Sequence, residues 1–305
     1  MPAFLTHKLA ADDILERLDG NPRITDVINA NIPAYHSGAQ GGDYYYLYKY
    51  YSMWAGHTYK MFGYALHRAR PQRFFVEGAQ YVKNHPDDMV IRSFFYGYIT
   101  HYCLDYIMHP KINAICPNAM NNHNTLEYGI DTVYAHEKGF EAMEFDRAQF
   151  VEQTFVESDE LNRFFEDCHR RLYYGFKLKP DSYHTTYRYF AEYNRKMFMP
   201  DEKQMKWIRL QNKFTMLDLL TMLYYPYEEV KDLFDYDYFL GLIKKSIEKS
   251  ITYIKLVDEY LHDERSLDVL ESAFYNVNFN GIPVVPREER KAFQRMYKKA
   301  KLRLF

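Results

Sequence analysis

The segment Phe94-Phe95-Tyr96-Gly97-Tyr98-Ile99-Thr100-His101-Tyr102-Cys103-Leu104-Asp105-Tyr106-Ile107-Met108-His109-Pro110 constrains the fold of this chain more than any other. Its apolar and aromatic residues call for a helix inside a protein, yet His101, Asp105 and His109 recur at every fourth position. At about 100° per residue each is displaced only about 40° from the last, so two imidazoles and a carboxylate share one helix face. Burying that set is costly without compensating charge, and metal ions provide it. The face therefore reads as a metal-ligand face. Gly97, one turn before His101, leaves room for a neighbouring helix or an ion.

A second pair follows in Asn122-His123-Asn124-Thr125-Leu126-Glu127, where His123 and Glu127 stand four apart and can grip one ion from a single turn. Nitrogen and carboxylate ligands without thiolates suit zinc, with manganese or iron as alternatives. His7 near the start, Asp43 after the Gly-rich stretch 37–42, and His57 in Trp54-Ala55-Gly56-His57 are further candidates. So many side chains exceed one tetrahedral site and suggest a cluster, and clustered divalent ions hold the attacking and leaving oxygens of a phosphoryl transfer. Taken singly, each pair is also what a solvated helix face carries.

Apolar residues recur at spacings of three and four along nearly the whole chain, and sustained strict alternation is absent, so the expected fold class is all-α. Helices are expected near 6–18, 44–69, 71–83, 88–108, 123–137, 158–175, 181–197, 202–224 and 236–262. Residues 20–43 read as loop-rich, and Pro110 and Pro117 as brackets of a loop. No Gly-, Ser- or Pro-rich linker divides the 305 residues, so a single helical domain is expected over 1–305. Its metal-site half is 1–140, with 141–305 packing on or capping it, since nine of the 12 His fall in the first 140 residues.

A net charge of -2 supplies no global field for gathering nucleic acid or acidic membranes. Cys103, Cys116 and Cys168 form neither a disulfide framework nor a cysteine-based zinc site, which fits a reducing compartment. With no apparent secretion signal and no spanning stretch, the expectation is a soluble, cytoplasmic protein.

The order of these residues resembles the zinc-dependent phospholipase C and P1/S1 nuclease superfamily, over about residues 1–140. The resemblance implies a multi-helix fold with a metal cleft between helices, two or three zinc ions, and hydrolysis of a phosphate ester by metal-activated water. Carried over by position, it implies that Asp43, His57, His101 and Asp105 hold one zinc. His7 joins Asp105 on a bridged partner, where the family also uses its mature N-terminal residue; removal of Met1 would place Pro2 in that role. His109, His123 and Glu127 hold the outlying ion. Asp43 is implied as auxiliary general base, and Tyr44 and Trp54 occupy the positions of aromatic residues that cage a choline head group in the phospholipase branch, although such faces also stack a nucleobase.

Two departures stand out. The Asp105 to His109 interval is two residues shorter than is usual in the family, and typical relatives are exported. The hydrolase reading is therefore a phospholipase C-like phosphodiesterase, with a nuclease or nucleotidase, or a non-catalytic metal-binding helical protein, as alternatives. His36, His67, His85, His136, His169, His184 and His262 fall outside the pattern and read as structural. Asp131, one turn beyond Glu127, reads equally as an orienting group for an imidazole or as an exposed carboxylate. The stretch 287–305 carries eight Lys or Arg against two Glu. A helix packed on the domain with a solvated basic face is favoured there over peripheral membrane contact.

Overall fold

The computed structural model describes residues 4–52, 55–117, 120–213 and 218–285, with 287, 290, 291, 294–296, 298 and 299 beyond them; at 120, 121, 169 and 170 only the backbone is described. Helices follow one another in the order α1 (Phe4–Arg17), α2 (Pro22–Ala30), α3 (Ile32–Ala39), α4 (His57–Arg68), α5 (Pro71–Lys83), α6 (Met89–Ile115) and α7 (Met120–Glu137). They continue as α8 (Arg147–Thr154), α9 (Asp159–Arg171), α10 (Ser182–Met197), α11 (Glu202–Gln211), α12 (Tyr227–Val230), α13 (Tyr236–Leu261) and α14 (Leu267–Ala273). Among the described residues there is no strand, and a lone antiparallel bridge pairs Val277 with Pro283. The all-α expectation holds.

Aspartates start several of these helices. The side chains of Asp88, Asp146 and Asp235 each accept a backbone N–H three residues on, and Asp201 forms a reciprocal capping box with Gln204. α6 is the central element: every residue from Ile91 to Asp105 is buried, which a helix apolar all round requires. It is flanked by α3 and α13. Against α13, Asp258 accepts from Arg92 (2.5 Å) and the Tyr96 hydroxyl (2.8 Å), and Arg23 of α2 reaches its other oxygen at 2.6 Å. That carboxylate joins three helices in the interior, where its charge is answered by two guanidinium groups.

The crossing with α3 corrects the loop expected at 20–43. Pro22 and Pro33 stand in the first turns of α2 and α3, where a missing N–H costs nothing, so the prolines begin helices there. Gly38 and Gly97 interlock the two backbones: a Cβ on Gly97 would lie 2.0 Å from the Tyr35 carbonyl oxygen, and one on Gly38 2.0 Å from that of Phe94. Gly97 thus admits a neighbouring helix. Other boundaries also shift. Among the described residues of 44–69 only α4 is a full helix, preceded by a 3-10 turn at Asp43–Tyr45 and a left-handed Gly56 (φ 75°). α6 runs through Pro110, and α11 ends at Gln211 before a 3-10 turn at Leu219–Met222.

One continuous core extends from Phe4 to Met296, with Tyr and Phe its commonest residues. Tyr44 belongs to it, edge-on to Phe165 and Tyr183 at 6.2 and 5.6 Å between ring centroids.

Candidate metal centre

The elements above deliver their polar residues to one place. α6 supplies His101, Asp105 and His109, α1 supplies His7, the turn after α3 supplies Asp43, α4 supplies His67, and α7 supplies His123 and Glu127. Among the described residues three groups form: His7, His101 and Asp105; Asp43, His67 and His101; and His109, His123 and Glu127. In each, one nitrogen or carboxylate oxygen per residue lies within 4.8 Å of the others.

Asp105 links the first group, with Oδ1 3.4 Å from His7 Nε2 and Oδ2 3.6 Å from His101 Nε2. His67 Nε2 is 3.0 Å from Asp43 Oδ1 and 4.0 Å from Asp105 Oδ2, so the first two groups adjoin through His101 and the carboxylates. In the third, Glu127 Oε1 lies 2.8 Å from His123 Nε2 and 3.5 Å from His109 Nε2. The short Asp105 to His109 interval therefore does not keep His109 from its group: one helical turn of α6 carries it past Asp105 toward α7.

Backbone carbonyls orient the rings. His67 Nδ1 donates to Gly63 O (2.8 Å), His101 Nδ1 to Ala39 O (3.2 Å), and His109 Nδ1 to Phe279 O (2.8 Å) and Asp105 O (3.0 Å). With the proton on Nδ1, each Nε2 presents a lone pair inward. His67 Nε2 and His101 Nε2 face each other at 3.3 Å, beside two carboxylates. A proton between them would require an imidazolium, and burial pushes His101 down to about 3, so its ring is neutral. An electron-rich pocket of this kind calls for a cation.

Burial opposes ionisation of Asp105, but His109 foremost and His7 outweigh it and hold the carboxyl well below its usual range. Glu127 follows the same logic: burial raises it, while the charges around it, His123 and His109 among them, bring it down to about 2. Both are carboxylates at neutral pH.

Asp131 is fully buried and touches none of these rings. Its carboxylate accepts the Leu5 and Thr6 backbone N–H groups, both at 2.8 Å, together with the hydroxyls of Thr6 (2.5 Å) and Tyr224 (2.8 Å). It caps α1 immediately before His7, although burial still pushes it up to about 6. Tyr224 in turn lies 5.2 Å below the guanidinium of the buried Arg147, which ties this strut to the second half of the chain.

Two sequence-derived candidates stand elsewhere. His57 is partly exposed at the start of α4, with Nε2 3.1 Å from the Lys299 carbonyl, and it joins none of the groups. His67, read as structural, is the α4 residue that does: it lies about 15 Å further along the helix at 1.5 Å per residue, where its ring reaches His101. The signal that could have found it is its position on the inward face of α4, in register with Gly63. Tyr44 is sealed in the core with no exposed surface and lines no opening. Trp54, Met1 and Pro2 lie outside the described residues, as does most of the basic stretch 287–305. His36, His85, His136, His184 and His262 hydrogen-bond elsewhere, as expected of structural histidines.

An open surface hollow of about 690 Å³ lined by residues 84–90 and Glu160 shares no residue with the cluster. No helix among the described residues is long and apolar enough to cross a membrane.

No curated protein and no solved structure matches the chain. A family model does: zinc dependent phospholipase C, over residues 6–197, which reaches beyond the expected 1–140 to the end of α10. That span covers well over half of the chain and every residue of the three groups, and the protein belongs to the zinc dependent phospholipase C family.

Proposed function

We propose that this protein is a zinc-dependent hydrolase of phosphate esters that cleaves a phosphodiester of the phospholipid kind with water, using two or three zinc ions. The observation that supports this is a set of buried atoms left incomplete by the protein itself. Both ring nitrogens of His7, Oδ1 of Asp43 and both oxygens of Asp105 are buried and make no hydrogen bond among the described residues. Such atoms are costly to bury unless cations complete them.

Three imidazoles and two carboxylates around the first two groups, and two imidazoles and a carboxylate in the third, match the nitrogen and oxygen preference of zinc. Zinc held there supplies Lewis acidity toward phosphoryl oxygens and acidifies water. The chain's own part is distinct. Asp43, at the edge of the second group, accepts the proton of the attacking water. Asp105 and Glu127, kept ionised by their imidazole neighbours, balance the cationic charge. His123, 13% exposed, is the most accessible of the gathered side chains and marks the edge from which the phosphate enters. No side chain serves as nucleophile. We read residues 1–305 as one helical domain, and the three cysteines, which are free, as consistent with a reducing, cytoplasmic setting.

The test is metal content per chain by elemental mass spectrometry on untagged protein, followed by a panel of phosphatidylcholine micelles, p-nitrophenyl phosphorylcholine, single-stranded DNA and nucleoside monophosphates. Two or three zinc ions with head-group release support the reading. A protein that stays metal-free after zinc reconstitution overturns it, and cleavage of DNA alone moves the activity to the nuclease branch.

A further inference from the structure

Residues 276–284 form a short hairpin that lies beyond the family-matched segment yet reaches into the cluster. Asn276 and Val284 exchange backbone and side-chain hydrogen bonds at 2.7 Å, Asn278 N–H donates to Ile282 O at 2.9 Å, and the Asn278 side-chain oxygen accepts the N–H groups of Asn280 (2.9 Å) and Ile282 (3.1 Å). Gly281, with φ 70°, lets the tip lie flat on α6, where a Cβ would come 2.3 Å from Pro110 Cγ. The Tyr102 hydroxyl pins the near arm by donating to Val277 O at 2.8 Å.

The tip residue, Phe279, is 1% exposed and meets two of the gathered histidines through its backbone. Its N–H donates to His67 O at 3.0 Å and its carbonyl accepts from His109 Nδ1 at 2.8 Å. Its ring lies 4.7 Å from that of His67 and 5.7 Å from that of His101, centroid to centroid. One residue from the C-terminal part thus spans α4 and α6 and covers the inner side of the cluster.

We propose that the hairpin 276–284 is a positioning element for the metal cluster: the Phe279 carbonyl holds the His109 ring with Nε2 toward Glu127, and the Phe279 ring closes the His67–His101 side to water. The inference rests on the zinc reading above. Carbonyl partners of ligand imidazoles fix ring orientation and raise basicity, and their loss typically weakens metal binding about 10–100-fold.

The experiment measures zinc affinity by chelator competition on the metal-free full chain, for the parent, Phe279→Ala, Phe279→Leu and Asn278→Ala, with Val257→Ala in α13 as a destabilised core control. Ring-nitrogen NMR of His109 in the metal-free protein gives a second readout. The expected result is a roughly 10–100-fold loss with a changed His109 signal for Asn278→Ala, whose loosened hairpin displaces the Phe279 carbonyl, a loss for Phe279→Ala, which keeps the carbonyl but removes the ring that seats it, partial rescue in Phe279→Leu, and parental affinity in Val257→Ala. If Phe279→Ala does not fold, Asn278→Ala against Val257→Ala carries the comparison. Parental zinc affinity and an unchanged His109 signal in the hairpin variants overturn the proposal while leaving the zinc reading intact, whereas a parent that binds no zinc overturns both.

Discussion

Asp131 of α7 holds Thr6 of α1 by two hydrogen bonds, from its backbone N–H at 2.8 Å and from its hydroxyl at 2.5 Å. The helix that carries His7 is thereby anchored one residue before the histidine, by a carboxylate at the end where backbone N–H groups are unpaired and the helix dipole is positive. Asp131→Ala leaves four donors, three of them buried, without that acceptor, and the expected loss is about 2–3 kcal/mol, read from urea unfolding. His7 loses its anchor as well, so zinc bound through His7 weakens. Asp131→Asn, which keeps one acceptor, falls between the two. A variant with parental stability and parental zinc content would show that the cap does not hold α1 in place.

The choice between His57 and His67 separates position along the sequence from position in space. His67→Gln removes a nitrogen that lies 3.0 Å from Asp43 Oδ1, and the expected consequence is a loss of zinc affinity of about 100-fold or more at one site. His57→Gln alters a contact with the Lys299 carbonyl and leaves affinity at the parental value. Chelator competition on both variants checks this, and the reverse pattern would restore His57 as the ligand.

Acid should destabilise the metal-free protein before the ordinary carboxylate range is reached. His101 sits at about 3 in the folded protein against 6.5 for a free imidazole. A base whose folded value is depressed contributes stability above its unfolded value and loses it as pH falls from there toward the folded one, here from 6.5 toward 3. At about 1.4 kcal/mol per unit the loss over that interval is on the order of 5 kcal/mol. Asp131 acts in the opposite sense, since its raised value adds stability as pH falls below about 6. The slope of unfolding free energy against pH in the parent and in His101→Gln therefore isolates the histidine: the variant has the shallower slope between pH 6.5 and 4. Equal slopes would mean that His101 is accessible to protons in the fold.

What could be read from the residues alone was the periodic part of the molecule. His101, Asp105 and His109 needed only the helical repeat to be placed on one face, and His123 with Glu127 needed only the next turn of another helix. The parts that were hidden depend on where elements end and what they meet. His67 and His57 lie on the same helix, and only the approach of its C-terminal end to the His101 side chain selects His67. Pro22 and Pro33 look like loop punctuation until their first-turn positions are known, and Gly38 looks like a turn residue until Gly97 is found opposite it. Phe279 is more than 150 residues from His109 in sequence, and its contribution is a backbone carbonyl, which no side-chain motif encodes.

Tyr44 gives the sharpest test of how far family positions carry substrate recognition. Its ring has no exposed surface, is enclosed by Tyr45, Phe165, Tyr183 and Tyr187, and its hydroxyl makes no hydrogen bond among the described residues. Burial, with the neighbouring tyrosines adding to it, pushes that phenol well above its ordinary value, which keeps it neutral at any working pH. Tyr44→Phe then removes a hydroxyl buried without a partner, so the expected change is a gain of up to about 1 kcal/mol, with KM and kcat for p-nitrophenyl phosphorylcholine unaltered. Tyr44→Ala instead opens a cavity and costs about 3–5 kcal/mol. A raised KM with unchanged kcat in Tyr44→Phe would mean that the hydroxyl reaches substrate through an opening of the aromatic core between Asp43 and α10, and Tyr44 would return to the binding site.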